Sequence, residues 1–403
     1  MKTVVIIGGG ASGMMAALTA SEDKNNRVIL LERQQRVGKK LLATGNGRCN
    51  LTNVGAVPER YLGTDPGFAV PALCRMPPER VLEHFKALGL LTVTEYGGRV
   101  YPLSNSANSV VDVLRFALDR ENIELKTSCP AREIKRRGAG FSVVTDEGSI
   151  NADFVIVACG GAAGAKQGGV SDGYELLKPL GHKRTSLHPS LVQLKTDPTY
   201  PRALKGVRAQ AELRLTEGKT LLAQSRGELQ FTETGLSGPA AFDISRTAAF
   251  CSGGGTVHID LLPDLTEDEI MSLLRARREG LPGLEAGELL TGMLHNRLGK
   301  MLVKYAGVSG QKLLRELSEN ELSAVCRSCR DFALELRGTE GFDNAQVTAG
   351  GIKTDGVDPY TLESRTVPGL YICGELLDID APCGGFNLQW AWASGYTAGR
   401  LGK

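Results

Sequence analysis

Two hydrophobic patterns divide this chain. Continuous apolar runs that end in glycine mark its two ends. Thr3-Val-Val-Ile-Ile7 leads straight into Gly8-Gly-Gly10-Ala-Ser12-Gly13, and residues 27–31 form a second apolar run ending in Glu32. Phe154-Val-Ile-Val-Ala-Cys159-Gly160-Gly161 repeats the pattern, as does the run at 366–373 before Gly374-Glu375. Such runs suit parallel strands buried on both faces. Between them, residues 191–194, 210–215, 228–231 and 256–262 alternate apolar with polar and predict antiparallel strands. From Thr266 onward the period is helical, with Ile270, Leu273 and Leu274 in phase, then Leu322, Val325 and Cys326. Thr266-x-x-Glu269 and Ser318-x-x-Glu321 have the spacing of capping boxes. The pattern therefore predicts a discontinuous domain of residues 1–190 and 343–403. A β domain at 191–263 and a helical lobe at 264–342 would be inserted into it.

The opening glycines carry specific physics. They form G-x-G-x-x-G between an apolar strand and a helical stretch at 14–21, with an acid 19 residues after the last glycine. Gly8 permits a tight turn, Gly10 lets backbone approach a pyrophosphate, and Gly13 lets helix and strand pack closely. The helix start presents the N–H groups of Ala11, Ser12 and Gly13 to phosphates. Glu32 is placed to accept hydrogen bonds from both ribose hydroxyls of an adenosine, and it would repel a 2′-phosphate. A dinucleotide site follows.

The residues after Glu32 choose the dinucleotide. In place of another strand–helix unit the chain reads as a long polar, glycine-spaced loop from Arg33 to Asn53. Loops of this kind in compact domains are usually functional. This one offers backbone N–H groups at Gly45 and Gly47, cations at Lys40 and Arg48, amides at Asn46 and Asn50, and the thiol of Cys49. Those groups suit the diphosphate and ribityl chain of FAD. At the other end, Gly374 would admit the sugar chain and Glu375 would bond a ribityl hydroxyl. Gly384 and Gly385 precede a helix whose first residues include Asn387 and Leu388. Its free N–H groups would stabilise negative charge at the flavin N1/O2 edge. Arg33, Ala131 and Gly160 complete the candidate cofactor contacts. Neither a catalytic residue nor a metal ligand is assigned.

Composition narrows the field. Fifty of 403 residues are glycine, about 12% against roughly 7% in an average protein. Net charge is +2, from 47 basic and 45 acidic residues, and aromatics are 5%. That gives no electrostatic case for nucleic acid or membrane. No apolar stretch reaches the roughly 18–20 residues of a membrane span. Nine cysteines without framework spacing predict reduced thiols and a cytoplasmic protein. Cys326-x-x-Cys329 falls in a predicted helix and reads as buried structural cysteines. No second G-x-G-x-x-G appears, so NAD(P)H would dock transiently rather than occupy its own domain.

The chain resembles a family of bacterial flavoproteins, BaiN/YhiN-like, that includes aminoacetone oxidase and a bile-acid 4,6-reductase. The resemblance is carried by GGGASG at 8–13, GKKLLATGNGRCNLTN at 38–53, GELQFTETGLSGPA at 227–240, VTAGG at 347–351 and GELLDIDAPCGGFNLQWAWASG at 374–395. It implies an α/β fold: a discontinuous, FAD-binding, Rossmann-like domain of the glutathione-reductase type, with an inserted small β domain and helical lobe. It also implies an FAD-dependent oxidoreductase acting on a small-molecule substrate, with hydride passing at flavin N5. Two directions stay open, NAD(P)H-dependent C=C reduction and amine oxidation with O2. An RNA-modifying flavoprotein and a non-enzymatic FAD redox sensor are the readings from other classes.

Overall fold

A computed structural model describes residues 1–251 and 254–403. The chain divides into two compact units, residues 1–188 with 345–403 and residues 189–344, each with its own hydrophobic core.

The first unit is built on a five-stranded parallel sheet. Its strand order is Leu370–Ile372, Phe154–Val157, Lys2–Ile7, Asn26–Leu31, Ile123–Lys126. In register, Val5 sits between Val155 and Ile29. All four of Val4, Val5, Ile6 and Ile7 are buried, as a strand covered on both faces requires. Helices Ala11–Ala20 and Phe386–Gly399 pack against each other. Gly395 and Gly399, one turn apart, make this possible: a Cβ at either would lie 2.3 Å from Ser12 O or 2.6 Å from Ala16 O. Strands Ala131–Arg137, Gly140–Thr145 and Gly148–Ala152 form an antiparallel sheet of their own.

The second unit corrects the expected partition. Its six strands close into a barrel in the order Leu194–Thr196, Gly235–Ser237, Thr220–Phe231, Arg208–Glu217, Thr256–Asp260, Phe332–Thr339. The last strand lies inside the segment expected to be wholly helical. Its side chains alternate, with Phe332, Leu334 and Leu336 buried, and it pairs antiparallel with the Thr256 and Leu194 strands. A β domain at 191–263 and a helical lobe at 264–342 are therefore not separate, since neither barrel nor helices bury a core alone. Helix Pro239–Phe250 falls within the expected all-β stretch, burying Ala240, Ala241, Ile244 and Ala248 at helical spacing. The strand expected at 191–194 begins only at Leu194, after a left-handed Leu191 at φ +50°. Both capping boxes form, on helices Glu267–Gly280 and Glu319–Arg330. Among the described residues no helix is long and apolar enough to cross a membrane.

Candidate functional site

The three glycines of the first turn do different work. Gly8 has φ +108°, and a Cβ there would stand 2.5 Å from Ala158 O; one at Gly13 would stand 1.8 Å from Gly8 O. Both serve the protein's own packing. A Cβ at Gly10 would meet nothing within 4 Å, so this missing side chain leaves space open. Helix Ala11–Ala20 begins there, with no side-chain cap and no acid in its first turn. The first helical bond runs from Met14 N to Gly10 O, 3.0 Å. The N–H groups of Ala11, Ser12 and Gly13 precede it and sit at the positive end of the helix dipole. An uncapped, open helix start beside glycine has the form that a diphosphate would require.

Glu32 follows the second strand and is 9% exposed. Its Oε2 accepts from Gly9 N at 2.8 Å and its Oε1 from Gln34 N at 2.6 Å. Each carboxylate oxygen keeps a lone pair for a hydroxyl. The acid therefore fastens the glycine turn and keeps acceptor capacity for the expected ribose. Cys129 N donates to Glu32 O and Ser128 N to Gln34 O, both 2.9 Å. These bonds bring the strand that starts at Ala131 to the same end of the sheet. Arg33 is held by Asp172 at 3.0 Å.

The polar loop is more ordered than expected, with a short helix Lys39–Ala43 and a two-residue strand Thr52–Asn53. Gly45, Asn46, Gly47 and Cys49 all have positive φ. Two of its expected phosphate cations are committed elsewhere. Arg48 stacks over the Tyr101 ring, 4.0 Å to the centroid, and bonds Glu95 and Asn105. Lys40 Nζ lies 2.6 Å from Glu375 Oε2. Nor is Cys49 made reactive by its neighbour Arg48: burial pushes its thiol up to about 12. Asn50 is 9% exposed and its Oδ1 has no hydrogen-bond partner among the described residues.

Around Glu375 the structure assembles residues that sequence reasoning did not assign. Thr348 N donates to Glu375 Oε1 at 2.8 Å, and Thr348 Oγ1 accepts from Ala163 N at 2.9 Å. Gly160, at φ +73°, brings its backbone to the same carboxylate: a Cβ there would lie 3.9 Å from Oε2. Gly374 N donates to Ser394 Oγ, and Gly374 O accepts from Trp390 Nε1. A side chain at 374 would meet Ser12 Oγ at 2.4 Å, so this glycine makes room for a protein group. The signal for Thr348 was the VTAGG segment, noted without a role.

Helix Phe386–Gly399 starts at Gly385, φ +99°, again without a side-chain cap or an acid in its first turn. Asn387 is a clamp on the preceding loop, its Oδ1 accepting from Ala381 N and its Nδ2 donating to Ala381 O. Its side chain is thus taken up by the loop, and what Asn387 has left to offer a cofactor is the backbone N–H of the first turn. Leu388, next in the first turn, contributes a free N–H. Two bare helix starts, open space at Gly10 and an acid with capacity for a ribose form a donor and acceptor set that fits FAD. Among the described residues no cluster of His, Cys, Asp or Glu could hold a metal ion.

Comparison with known proteins agrees. The family described as HI0933-like protein Rossmann domain matches residues 2–401. The 3-dehydro-bile acid delta(4,6)-reductase of Clostridium scindens is 40% identical over 92% of this chain and 91% of its own. The ribosomal RNA dihydrouridine synthase of Escherichia coli is 28% identical over 90% of this chain and 88% of its own. Among solved structures, 3-ketosteroid delta1-dehydrogenase from Sterolibacterium denitrificans aligns over 99% of both chains at 13% identity, with a TM-score of 0.48. Matched along nearly its whole length, the chain belongs to the HI0933-like Rossmann family and is an FAD-dependent oxidoreductase.

Proposed function

We propose that this oxidoreductase reduces a carbon–carbon double bond conjugated to a carbonyl in a small organic substrate, with NADH or NADPH docking transiently as the donor. The observation that carries the reading is the 40% identity to a delta(4,6)-reductase across 92% of the chain. The more distant relative supports the reaction type, because a dihydrouridine is also the product of adding two hydrogens across a carbon–carbon double bond. Reduction is therefore preferred to amine oxidation.

Bound FAD supplies hydride transfer through its N5. The chain's part is to hold and polarise. Glu32 would take the ribose, and the N–H groups of Ala11, Ser12 and Gly13 would offset the diphosphate charge. The bare start of helix Phe386–Gly399 would offer N–H groups to negative charge on the flavin pyrimidine ring. RNA as substrate is not favoured. Residues 189–344 carry 19 Lys and Arg against 21 Asp and Glu, which is not the basic surface that RNA binding asks for.

Anaerobic stopped-flow spectroscopy tests the reading. NADH or NADPH should bleach the flavin absorbance, and a 3-oxo-4,6-diene steroid should restore it faster than a panel of amines or a uridine-containing RNA changes it. Bleaching by an amine, with recovery only on admitting O2, would overturn the proposal.

A further inference from the structure

Two buried tyrosines of the sheet unit have no hydroxyl to offer. Tyr61 Oη donates to Phe386 O at 3.0 Å, and Tyr174 Oη is sealed in protein. Tyr101, on strand Arg99–Pro102, differs. The residue is only 7% exposed, but its hydroxyl makes no hydrogen bond among the described residues and is not sealed off. The ring packs on the polar loop, with Cε1 3.2 Å from where a Cβ on Gly45 would stand. Cys383, in the turn before helix Phe386–Gly399, acts electrostatically on the hydroxyl. Asn53 Nδ2 ties the strand's hairpin to the same turn, donating to Gly97 O at 3.0 Å and to Gly384 O at 2.9 Å. Tyr101 therefore stands between the two segments read as flavin contacts, with a hydroxyl that a ligand can reach.

Arg48 is fixed over that ring by its bonds to Glu95 and Asn105. Burial pushes the Tyr101 hydroxyl above its usual range, while Arg99 and Arg48 favour negative charge there more than Glu95 opposes it. The group thus keeps its proton near neutral pH, in a field that suits an anion beside it. We propose that Tyr101 Oη donates a hydrogen bond to the carbonyl oxygen of the substrate and stabilises the enolate that forms there. Hydride, supplied by reduced FAD, adds to the far carbon of the conjugated system. The double-bond electrons shift toward the carbonyl, and its oxygen takes the negative charge. A solvent proton then adds to carbon and the carbonyl re-forms. The inference rests on the reading that this chain reduces a conjugated carbon–carbon double bond.

The test joins a spectrum to a rate. Full-length oxidised holoprotein is mixed, without a hydride donor, with a 3-oxo-4,6-diene steroid carrying 13C at its carbonyl. The bound carbonyl stretch should lie below its position in hexane, and Tyr101→Phe should return it toward that position. Reoxidation of the reduced protein by the steroid should slow about 100- to 1000-fold in Tyr101→Phe, with bleaching by NADH or NADPH and reoxidation by ferricyanide kept within about threefold. An unchanged stretch or an unchanged steroid rate overturns the assignment. Equal slowing with ferricyanide also overturns it, because that marks a structural role. If Tyr101→Phe fails to fold, 3-fluorotyrosine in place of Tyr101 decides. This more acidic donor should lower the stretch further, and no further shift overturns the bond. Native protein that ignores the steroid and is bleached by an amine overturns the reduction reading, and Tyr101 with it. Rapid steroid reduction by Tyr101→Phe overturns Tyr101 alone.

Discussion

Two helices of the barrel unit and two of the sheet unit begin in opposite ways. In the barrel unit, Glu267–Gly280 and Glu319–Arg330 start at Thr266 and Ser318 with complete capping boxes and acids in the first turn. In the sheet unit, Ala11–Ala20 and Phe386–Gly399 start at Gly10 and Gly385 with neither. A missing cap costs about 0.5–2 kcal/mol relative to Ser, Thr, Asn or Asp. A bare start alone marks no site, since Pro239–Phe250 of the barrel unit and Ala107–Ala117 of the sheet unit are also uncapped and without a first-turn acid. At Gly10 and Gly385 the bare starts coincide with the glycine turns expected at the cofactor, whose negative charge would complete these two helices.

Filling one of the bare starts should break the contrast most severely. Gly10 has φ −80° and ψ −168°, a cap conformation that any residue adopts, and its Cβ direction is open. Gly10→Asp should therefore leave the melting temperature of the flavin-free protein unchanged or raised. The new carboxylate takes the N–H groups and places negative charge against the diphosphate. FAD affinity should fall by about 100-fold or more, roughly 2.7 kcal/mol. Calorimetry with and without FAD separates the two effects, and tight FAD binding by this variant would dissociate the bare start from the cofactor.

Glu32→Ala comes next. Hydrogen bonds to a charged acceptor contribute about 1.5–3 kcal/mol, so FAD affinity should drop roughly 10- to 150-fold. Because Glu32 also takes Gly9 N and Gln34 N, the flavin-free protein should lose thermal stability too. Gly10→Asp should not, and that difference separates an acid serving both fold and ligand from a glycine serving the ligand alone.

The contrast was partly legible in the sequence. Thr266, Glu269, Ser318 and Glu321 announce their capping boxes because the motif is local, spanning four residues. The phosphate turn was legible for the same reason: strand, glycines, helix and acid lie within the first 32 residues. What escaped depends on contacts made over long separations. Lys40 reads as a free phosphate cation until residue 375 is brought within 2.6 Å of it. Arg48 reads likewise until Tyr101 and Glu95 occupy it. The barrel's closing strand Phe332–Thr339 was hidden behind a strong helical signal, although its alternation was present.

A smaller effect is expected where a cap is removed from the barrel unit. Ser318 Oγ accepts from Glu321 N, and Glu321 Oε2 accepts from Ser318 N. Ser318→Ala should cost about 1 kcal/mol, seen as a shift in the denaturation midpoint, and leave FAD affinity as it was. A change in FAD affinity would show that capping in this unit reaches the cofactor after all.

The smallest effect is a pH dependence confined to the same cap. Glu321 accepts from Lys312 Nζ at 2.7 Å and 2.9 Å and from both polar groups of Ser318. The Lys312 bonds first, then those from Ser318, hold its carboxyl down at about 2 against an ordinary 4.5. The folded state therefore binds the proton less readily than the unfolded one. Stability from this group is complete above about pH 4.5 and drains away as pH falls toward 2. The pair is close to solvent, with Lys312 and Glu321 side chains 32% and 29% exposed, so the contribution is held to about 1 kcal/mol or less. Hydrogen exchange of the amides in helix Glu319–Arg330 should accelerate between pH 4.5 and 2, after correction for the intrinsic rate. Glu321→Gln should flatten that dependence, since a neutral amide has no proton to take up. An unchanged pH profile in the variant would assign the loss to other carboxylates of the unit and leave the cap without an electrostatic share.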